Sequence, residues 1–210
     1  MRIPHQRNIS KITGRALAIV VFTLLVGCGE TSQESKGVIS IGGDITEIIY
    51  ALGKIDQVIG RDTTSFHPES VTRLPDVGYV RQLGAEGLLS LSPDLIIASP
   101  ETGPPEVVEQ IRQTGIPFVL TEGGFNLAGL LKRIETIGKT LDAETEAERL
   151  SQSIIAKMQK IDKKLAAVSR KPKVLFLMSA SDGSPMAAGK DTAADAIINL
   201  AKGENIFENQ

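Results

Sequence analysis

The chain is poor in the residues that build covalently or metal-stabilised scaffolds. Its 210 residues include one cysteine, two histidines, no tryptophan and only 4% aromatic residues. A single cysteine excludes a disulfide framework and any cysteine-rich zinc or iron–sulfur site. The formal net charge of −2 argues against a nucleic-acid partner, which calls for a basic surface. The 41% of apolar residues is enough for a hydrophobic core, which excludes a wholly disordered protein.

Residues 1–27 have the pattern of a secretory signal peptide. Residues 1–15 contain Arg and Lys but no acidic residue, and residues 16–27 form an uncharged apolar run. A permanent membrane-spanning helix needs roughly 20 apolar residues, so this run is too short. A buried core helix would not explain why the basic residues all precede it. We therefore predict an exported protein whose leader ends at residue 27.

The only cysteine, Cys28, follows this leader directly. The segment Leu25–Cys28 resembles a bacterial lipobox, in which the cysteine is lipidated and becomes the first residue of the mature protein. We predict a lipid anchor at Cys28 and a short linker over residues 28–37. Such an anchor tethers the protein to a membrane, in the periplasm or on the outer face of the cell membrane.

The fold class follows from how strand and helix patterns alternate. Residues 38–142 contain short β-rich runs separated by amphipathic helical patterns, which predicts a parallel sheet covered by helices on both faces. Residues 143–168 contain no Gly or Pro and place apolar residues at helical spacing, which predicts one long helix that bridges two lobes. Residues 169–210 then begin a second α/β lobe with one strand at 173–178 and one helix. One strand and one helix do not close a sheet, so we expect this second lobe to be incomplete.

Motifs for nucleotide binding and catalysis are weak or missing in the sequence. Gly183–Lys190 follows a predicted strand as a phosphate-binding loop does, but it has five intervening residues rather than four, and Asp191 replaces the expected Ser or Thr. His67 is the only histidine outside the leader, and a lone loop histidine is more often solvated than bound to a metal, although a metal role stays open. With no nucleophile–base constellation and no GxSxG elbow, we predict that the chain is not an enzyme.

Two parts of the mature chain carry a family resemblance. The chain resembles the haem-binding proteins of bacterial ABC importers, which belong to the helical-backbone class of substrate-binding proteins. The first lobe carries the resemblance at residues 62–65, 68, 74–83, 85–91 and 93–95, and the second lobe at 185–193 and 203–207. The resemblance implies two α/β lobes joined by one long helix, with an ABC permease and its ATPase subunit as partners.

The resemblance also assigns a ligand site. It implies that Tyr79 is the axial ligand of ferric haem, because Fe(III) is a hard Lewis acid that favours a phenolate. Arg81 is expected to hydrogen-bond that phenolate and favour its charged form. Met186 is expected to pack on the porphyrin face, although a methionine that follows a proline is more often part of ordinary packing. Spacing alone favours an ordinary half-buried aromatic at position 79, so the role of Tyr79 rests on the resemblance.

Two further expectations concern docking to the permease and the alternative substrate. Glu86 matches the position at which first lobes of this class dock onto Arg residues of the permease, although an exposed glutamate on a helix is usually just solvated. The nearest alternative function is a binding protein of the same class for a corrinoid or a ferric siderophore.

Overall fold

The computed structural model describes residues 36–179 and 185–207. The predicted leader, the predicted anchor at Cys28 and most of the linker lie outside the described residues, as does Gly183. The elements in chain order are β1 (Val38–Ile41), α1 (Gly43–Ala51), β2 (Val58–Arg61), β3 (Gly78–Tyr79), β4 (Gln82–Leu83), α2 (Ala85–Leu89), β5 (Leu95–Ala98), α3 (Pro105–Arg112), β6 (Phe118–Leu120), α4 (Leu127–Thr140), α5 (Glu144–Leu165), β7 (Lys173–Val174), β8 (Leu177–Ser179), β9 (Met186–Ala187), α6 (Ala193–Leu200) and β10 (Glu204–Asn205).

A four-stranded parallel sheet forms the centre of the first lobe. Its strand order is β2-β1-β5-β6, and each neighbouring pair is parallel. Every residue of β1 and β5 is buried, as expected for central strands that are covered on both faces. Successive side chains of these strands point to opposite faces, so each strand contributes to two separate hydrophobic layers.

The two layers are built by different helices. On one face, Val38 and Ile97 pack with apolar residues of α1 and α4 and with Ala147 at the start of α5. On the other face, Ile39 and Ile96 pack with residues of α2 and α3. The predicted fold class, a parallel sheet with helices on both faces, is therefore confirmed.

The longest helix of the described chain is α5, with 22 residues. It begins one residue inside the predicted range of 143–168 and ends three residues before that range does. Its first turns pack against α4, where Ala147 lies beside Gly138. Along the rest of α5 most side chains are at least partly exposed. None of the helices within the two described ranges has the length and apolarity needed to cross a membrane.

The contact between α4 and α5 predicts a stability effect. A Cβ atom added at Gly138 would lie 2.5 Å from the Ala147 Cβ, so Gly138→Ala forces the two helices apart. We expect a loss of about 2 kcal/mol in the free energy of unfolding, measured by urea denaturation. Gly87→Ala in α2 is the matched control, because its nearest such contact is 3.8 Å. Equal stability of the two variants would contradict close packing of α4 on α5.

The second lobe differs in detail from the sequence prediction. The single strand predicted at 173–178 is two strands with different partners: β7 pairs in parallel with β10, and β8 pairs antiparallel with β9. The chain changes partner between Val174 and Leu177. The sequence pattern showed one apolar run there, because periodicity alone carries no information about which strand each residue will meet.

Candidate functional site

Tyr79 lies on a very short hairpin formed by β3 and β4. Tyr79 faces Gln82 across this antiparallel pair, and its side chain is 43% exposed. Strands of two residues are not stable alone, so the hairpin depends on its surroundings. Val80 and Leu83 are buried in the core, and Gly103 bonds both sides of the turn: its N–H donates to the Val80 carbonyl at 2.9 Å, and its carbonyl accepts from the Leu83 N–H at 3.0 Å.

The other end of the hairpin is tied to β2 and the loop after it. The Thr63 N–H donates to the Gly78 carbonyl at 2.9 Å, and the Val77 N–H donates to the Arg61 carbonyl at 2.9 Å. Gly78 has a φ of 104°, a conformation that favours glycine. The residue immediately before Tyr79 is therefore fixed by backbone geometry.

A buried carboxylate organises the loop that holds this end. Asp62 is fully buried and accepts hydrogen bonds from the Gly42 N–H, the Thr64 N–H and hydroxyl, and the Ser65 hydroxyl. These bonds join the turn after β1 to the loop after β2, at the carboxyl edge of the sheet, where open α/β sheets bind ligands. The sequence analysis did not assign this role to Asp62.

A large cleft of about 1070 Å³ lies between the first lobe and the described part of the second. The first lobe contributes Arg81, Glu101 and Phe125 to it. The second lobe contributes mostly apolar side chains and small residues, including Phe176, Leu177, Met178, Met186, Ala187 and Ile197. Among the described residues, the cleft thus combines a broad apolar wall with one guanidinium group and two carboxylates, those of Glu101 and Asp191.

Two of the three predicted ligand-binding residues line the cleft, and the third does not. Arg81 and Met186 line this cleft from opposite lobes. Tyr79 does not line it, but it lies two residues before Arg81 on the same hairpin. Sequence reasoning missed Glu101 and Phe125. Glu101 follows the carboxyl end of β5, and that position was an available signal.

Two other candidates lie apart from the cleft lining. Glu86 is exposed in the first turn of α2, whose opposite side buries Leu88. His67 lies edge-on to the Tyr50 ring, with ring centres 6.3 Å apart. Within residues 36–179 and 185–207, no group of three or more His, Cys, Asp or Glu side chains is placed to hold a metal ion.

The chain is similar in sequence and in structure to known periplasmic binding proteins. Residues 38–210 match the model of a family described as periplasmic binding protein. Among solved structures, the periplasmic heme-binding protein RhuT from Roseiflexus sp. RS-1, in its apo form, superposes with a TM-score of 0.77 and 37% sequence identity. That alignment covers 81% of this chain and 65% of RhuT.

Two curated relatives extend the comparison. The uncharacterized ABC transporter substrate-binding lipoprotein YvrC of Bacillus subtilis is 29% identical over 85% of this chain and 57% of its own length. A vitamin B12-binding protein of Vibrio parahaemolyticus is 27% identical over 85% of this chain and 63% of its own length. The chain therefore spans less than two thirds of the length of each of these relatives. The family match, which covers nearly all of the chain after residue 37, shows that the chain belongs to the periplasmic binding protein family.

Proposed function

We propose that this protein is the extracytoplasmic haem-binding component of an ABC importer, anchored to a membrane through a lipid on Cys28. It captures ferric haem in the cleft between the lobes and delivers it to a permease and its ATPase subunit. Haem is the transported substrate, and the protein performs no chemistry on it. The observation that carries the proposal is a large cleft with a broad apolar wall, which Arg81 lines from a hairpin that also carries the exposed Tyr79 two residues earlier.

The chemistry of the hairpin suits ferric haem. Tyr79 is 43% exposed, so a ligand can reach this residue without unfolding of the hairpin. Phenolate oxygen is a hard donor and an established axial ligand of haem iron. Arg81 is a suitable partner for a carboxylate at the edge of the ring.

The cleft suits the rest of the haem molecule. A porphyrin is a flat apolar ring that carries anionic propionates at one edge. The Met178 and Met186 side chains, both well exposed, line the apolar wall of the cleft. Thioethers are polarisable and pack favourably against aromatic rings, so these methionines are suited to cover one porphyrin face.

A corrinoid is the principal alternative substrate. Vitamin B12-binding relatives are 27% identical to this chain, whereas the haem-binding protein RhuT is 37% identical. Both ligands are large macrocycles that suit a cleft of this size. Tyr79 two residues before Arg81 favours haem, because an iron-binding phenolate has no comparable use on a corrinoid that already carries its own cobalt ligands.

Parallel titrations test the choice of substrate. The purified protein is titrated with hemin and, separately, with cyanocobalamin, and binding is followed by visible absorption and by calorimetry. We expect saturable hemin binding with a tyrosinate-to-iron charge-transfer band and much weaker binding of cyanocobalamin. Tight binding of cyanocobalamin without a spectral response to hemin would overturn the proposal.

Docking to the permease predicts a separate effect for Glu86. The glutamate is exposed on α2, and its proposed partners are Arg residues of the permease. Charge reversal in Glu86→Arg should lower hemin uptake about tenfold while leaving hemin affinity unchanged. Uptake is measured in cells or vesicles that carry the cognate permease and ATPase.

Glu106→Arg provides the matched control for docking. Glu106 is also an exposed acidic residue in the first turn of a helix, α3. We expect this variant to transport hemin normally. Equal uptake by the Glu86→Arg variant and the unaltered protein would remove Glu86 from the docking surface.

A further inference from the structure

We infer that Asp76 is a positioning residue for Tyr79, a role that rests on the proposed haem site. Asp76 does not line the cleft and is not expected to touch haem. Its carboxylate fixes the backbone of the residue before Tyr79, so it sets the direction from which the phenol is offered to the iron.

Several hydrogen bonds hold the hairpin in place. The bonds from Thr63 and Gly103 to the hairpin join backbone groups. Asp76 adds a side-chain bond, because its Oδ1 accepts from the Gly78 N–H at 2.8 Å. This bond acts on the Val77–Gly78 peptide group, one peptide group before Tyr79, and a substitution removes it without altering the backbone bonds.

Asp76 is itself held in place by an ion pair with Arg61. Its Oδ2 accepts from the Arg61 guanidinium at 2.9 Å, and the same guanidinium nitrogen donates to the Asp62 carbonyl at 3.1 Å. The Arg61 side chain is only 12% exposed. Arg61 belongs to β2, so the carboxylate links a strand of the central sheet to the hairpin that carries Tyr79.

Asp76 is expected to affect the orientation of Tyr79 more than it affects folding stability. The Asp76 side chain is 40% exposed and the Arg61 side chain 12% exposed, so the ion pair contributes modestly to folding stability. Asp76 belongs to neither hydrophobic layer, so loss of its carboxylate should leave the fold intact. It frees the Gly78 peptide group, and the orientation of the neighbouring phenol becomes less restricted. An axial ligand is sensitive to such a change, because groups that orient a metal ligand affect affinity strongly.

The composition of the chain offers a readout that does not depend on haem. The protein has two tyrosines and no tryptophan. In a Tyr50→Phe background, Tyr79 is the only source of tyrosine fluorescence. The fluorescence anisotropy of the unliganded protein then reports the mobility of Tyr79 alone.

The test compares three substitutions in that background: Asp76→Ala, Asp76→Asn and Asp142→Asn. We expect Asp76→Ala to lower the Tyr79 anisotropy, to weaken hemin binding about tenfold and to shift the charge-transfer band at saturation. Asp76→Asn should recover part of these properties, because its amide oxygen still accepts from the Gly78 N–H while its NH₂ group cannot accept from Arg61. Asp142→Asn, which alters a surface ion pair with Lys36, should change none of them. Melting temperatures should stay close to one another in all variants.

Three results would overturn the inference. The first is an unchanged Tyr79 anisotropy in the Asp76→Ala variant. This result would overturn the inference whether or not the protein binds hemin. The second is an unchanged hemin affinity and band position in that variant. The third is a loss of affinity that parallels a fall in melting temperature and is equally large in Asp76→Asn, which would indicate a purely structural role. Lower anisotropy in a protein that fails to bind hemin at all would instead count against the proposed function and against the haem-binding role of Asp76 together.

Discussion

Hemin affinity is expected to fall about a hundredfold or more when Tyr79 is replaced by phenylalanine. The substitution keeps the ring and removes only the oxygen that is proposed to bind iron. Because Tyr79 lies on the β3–β4 hairpin and is 43% exposed, loss of its hydroxyl should not disturb the core. The charge-transfer band of the tyrosinate–iron bond should disappear, and both effects are measured by titrating the purified variant with hemin.

Tyr50→Phe supplies the matched control for this experiment. Tyr50 is the second tyrosine of the chain and is exposed to a similar degree, 47% against 43% for Tyr79. It lies on α1 against His67 and not on the hairpin. We expect the Tyr50→Phe variant to bind hemin with unaltered affinity and spectrum. Equal loss of the band in both variants, or in neither, would contradict iron ligation by Tyr79.

Replacing Asp62 by asparagine is expected to lower the free energy of unfolding by about 3 kcal/mol. The carboxylate is fully buried and accepts four hydrogen bonds, three from the neighbouring residues Thr64 and Ser65 and one from the distant Gly42. An asparagine presents an NH₂ group where one carboxylate oxygen had been. That group points donor hydrogens at donors, so at least one buried polar group loses its partner. Thermal and urea denaturation measure the effect.

Asp142→Asn is the control for Asp62→Asn. Asp142 is 63% exposed and makes one long ion pair, at 3.5 Å, with Lys36. Exposed pairs of this kind contribute little to stability, so this variant should have the same melting temperature as the unaltered protein. If Asp62→Asn were equally stable, the buried network at the carboxyl edge would not be the support of the 62–65 loop that we describe.

Much of the first lobe could be predicted because its elements are locally specified. The pattern of residues 126–141 predicts a helix, and α4 runs from Leu127 to Thr140 with the Asn126 side chain accepting from the Gly129 N–H as an N-cap. Leu95–Ala98 is an apolar run of four residues and forms the buried strand β5. Such elements carry their signal in their own residues, through periodicity, capping and turn-forming residues.

The second lobe and the hairpin were harder to predict, because their structure depends on distant partners. The run at 173–178 is divided because β7 meets β10 while β8 meets β9. The β3–β4 hairpin lies in and beside a segment that has no clear period in the sequence, and it is stabilised by Thr63 and Gly103, which no local pattern connects to it. Tertiary contacts of this kind override weak local preferences.

The residues of the candidate site also differ in how far the sequence could predict their roles. Tyr79, Arg81 and Glu86 were assigned by family resemblance and not by spacing, and their roles stay predictions. The structure brings Arg81 and Met186, more than a hundred residues apart in sequence, to one cleft. Asp62 and Asp76 could not be given roles from the sequence, because their importance lies in the particular N–H groups that each carboxylate meets.

A crystal structure of the protein with hemin tests the central claim most directly. The account predicts haem in the cleft between the lobes, its iron bound by the Tyr79 oxygen and its ring near Arg81 and Met186. Iron bound by another residue, or a Tyr79 ring turned away from bound haem, would contradict it.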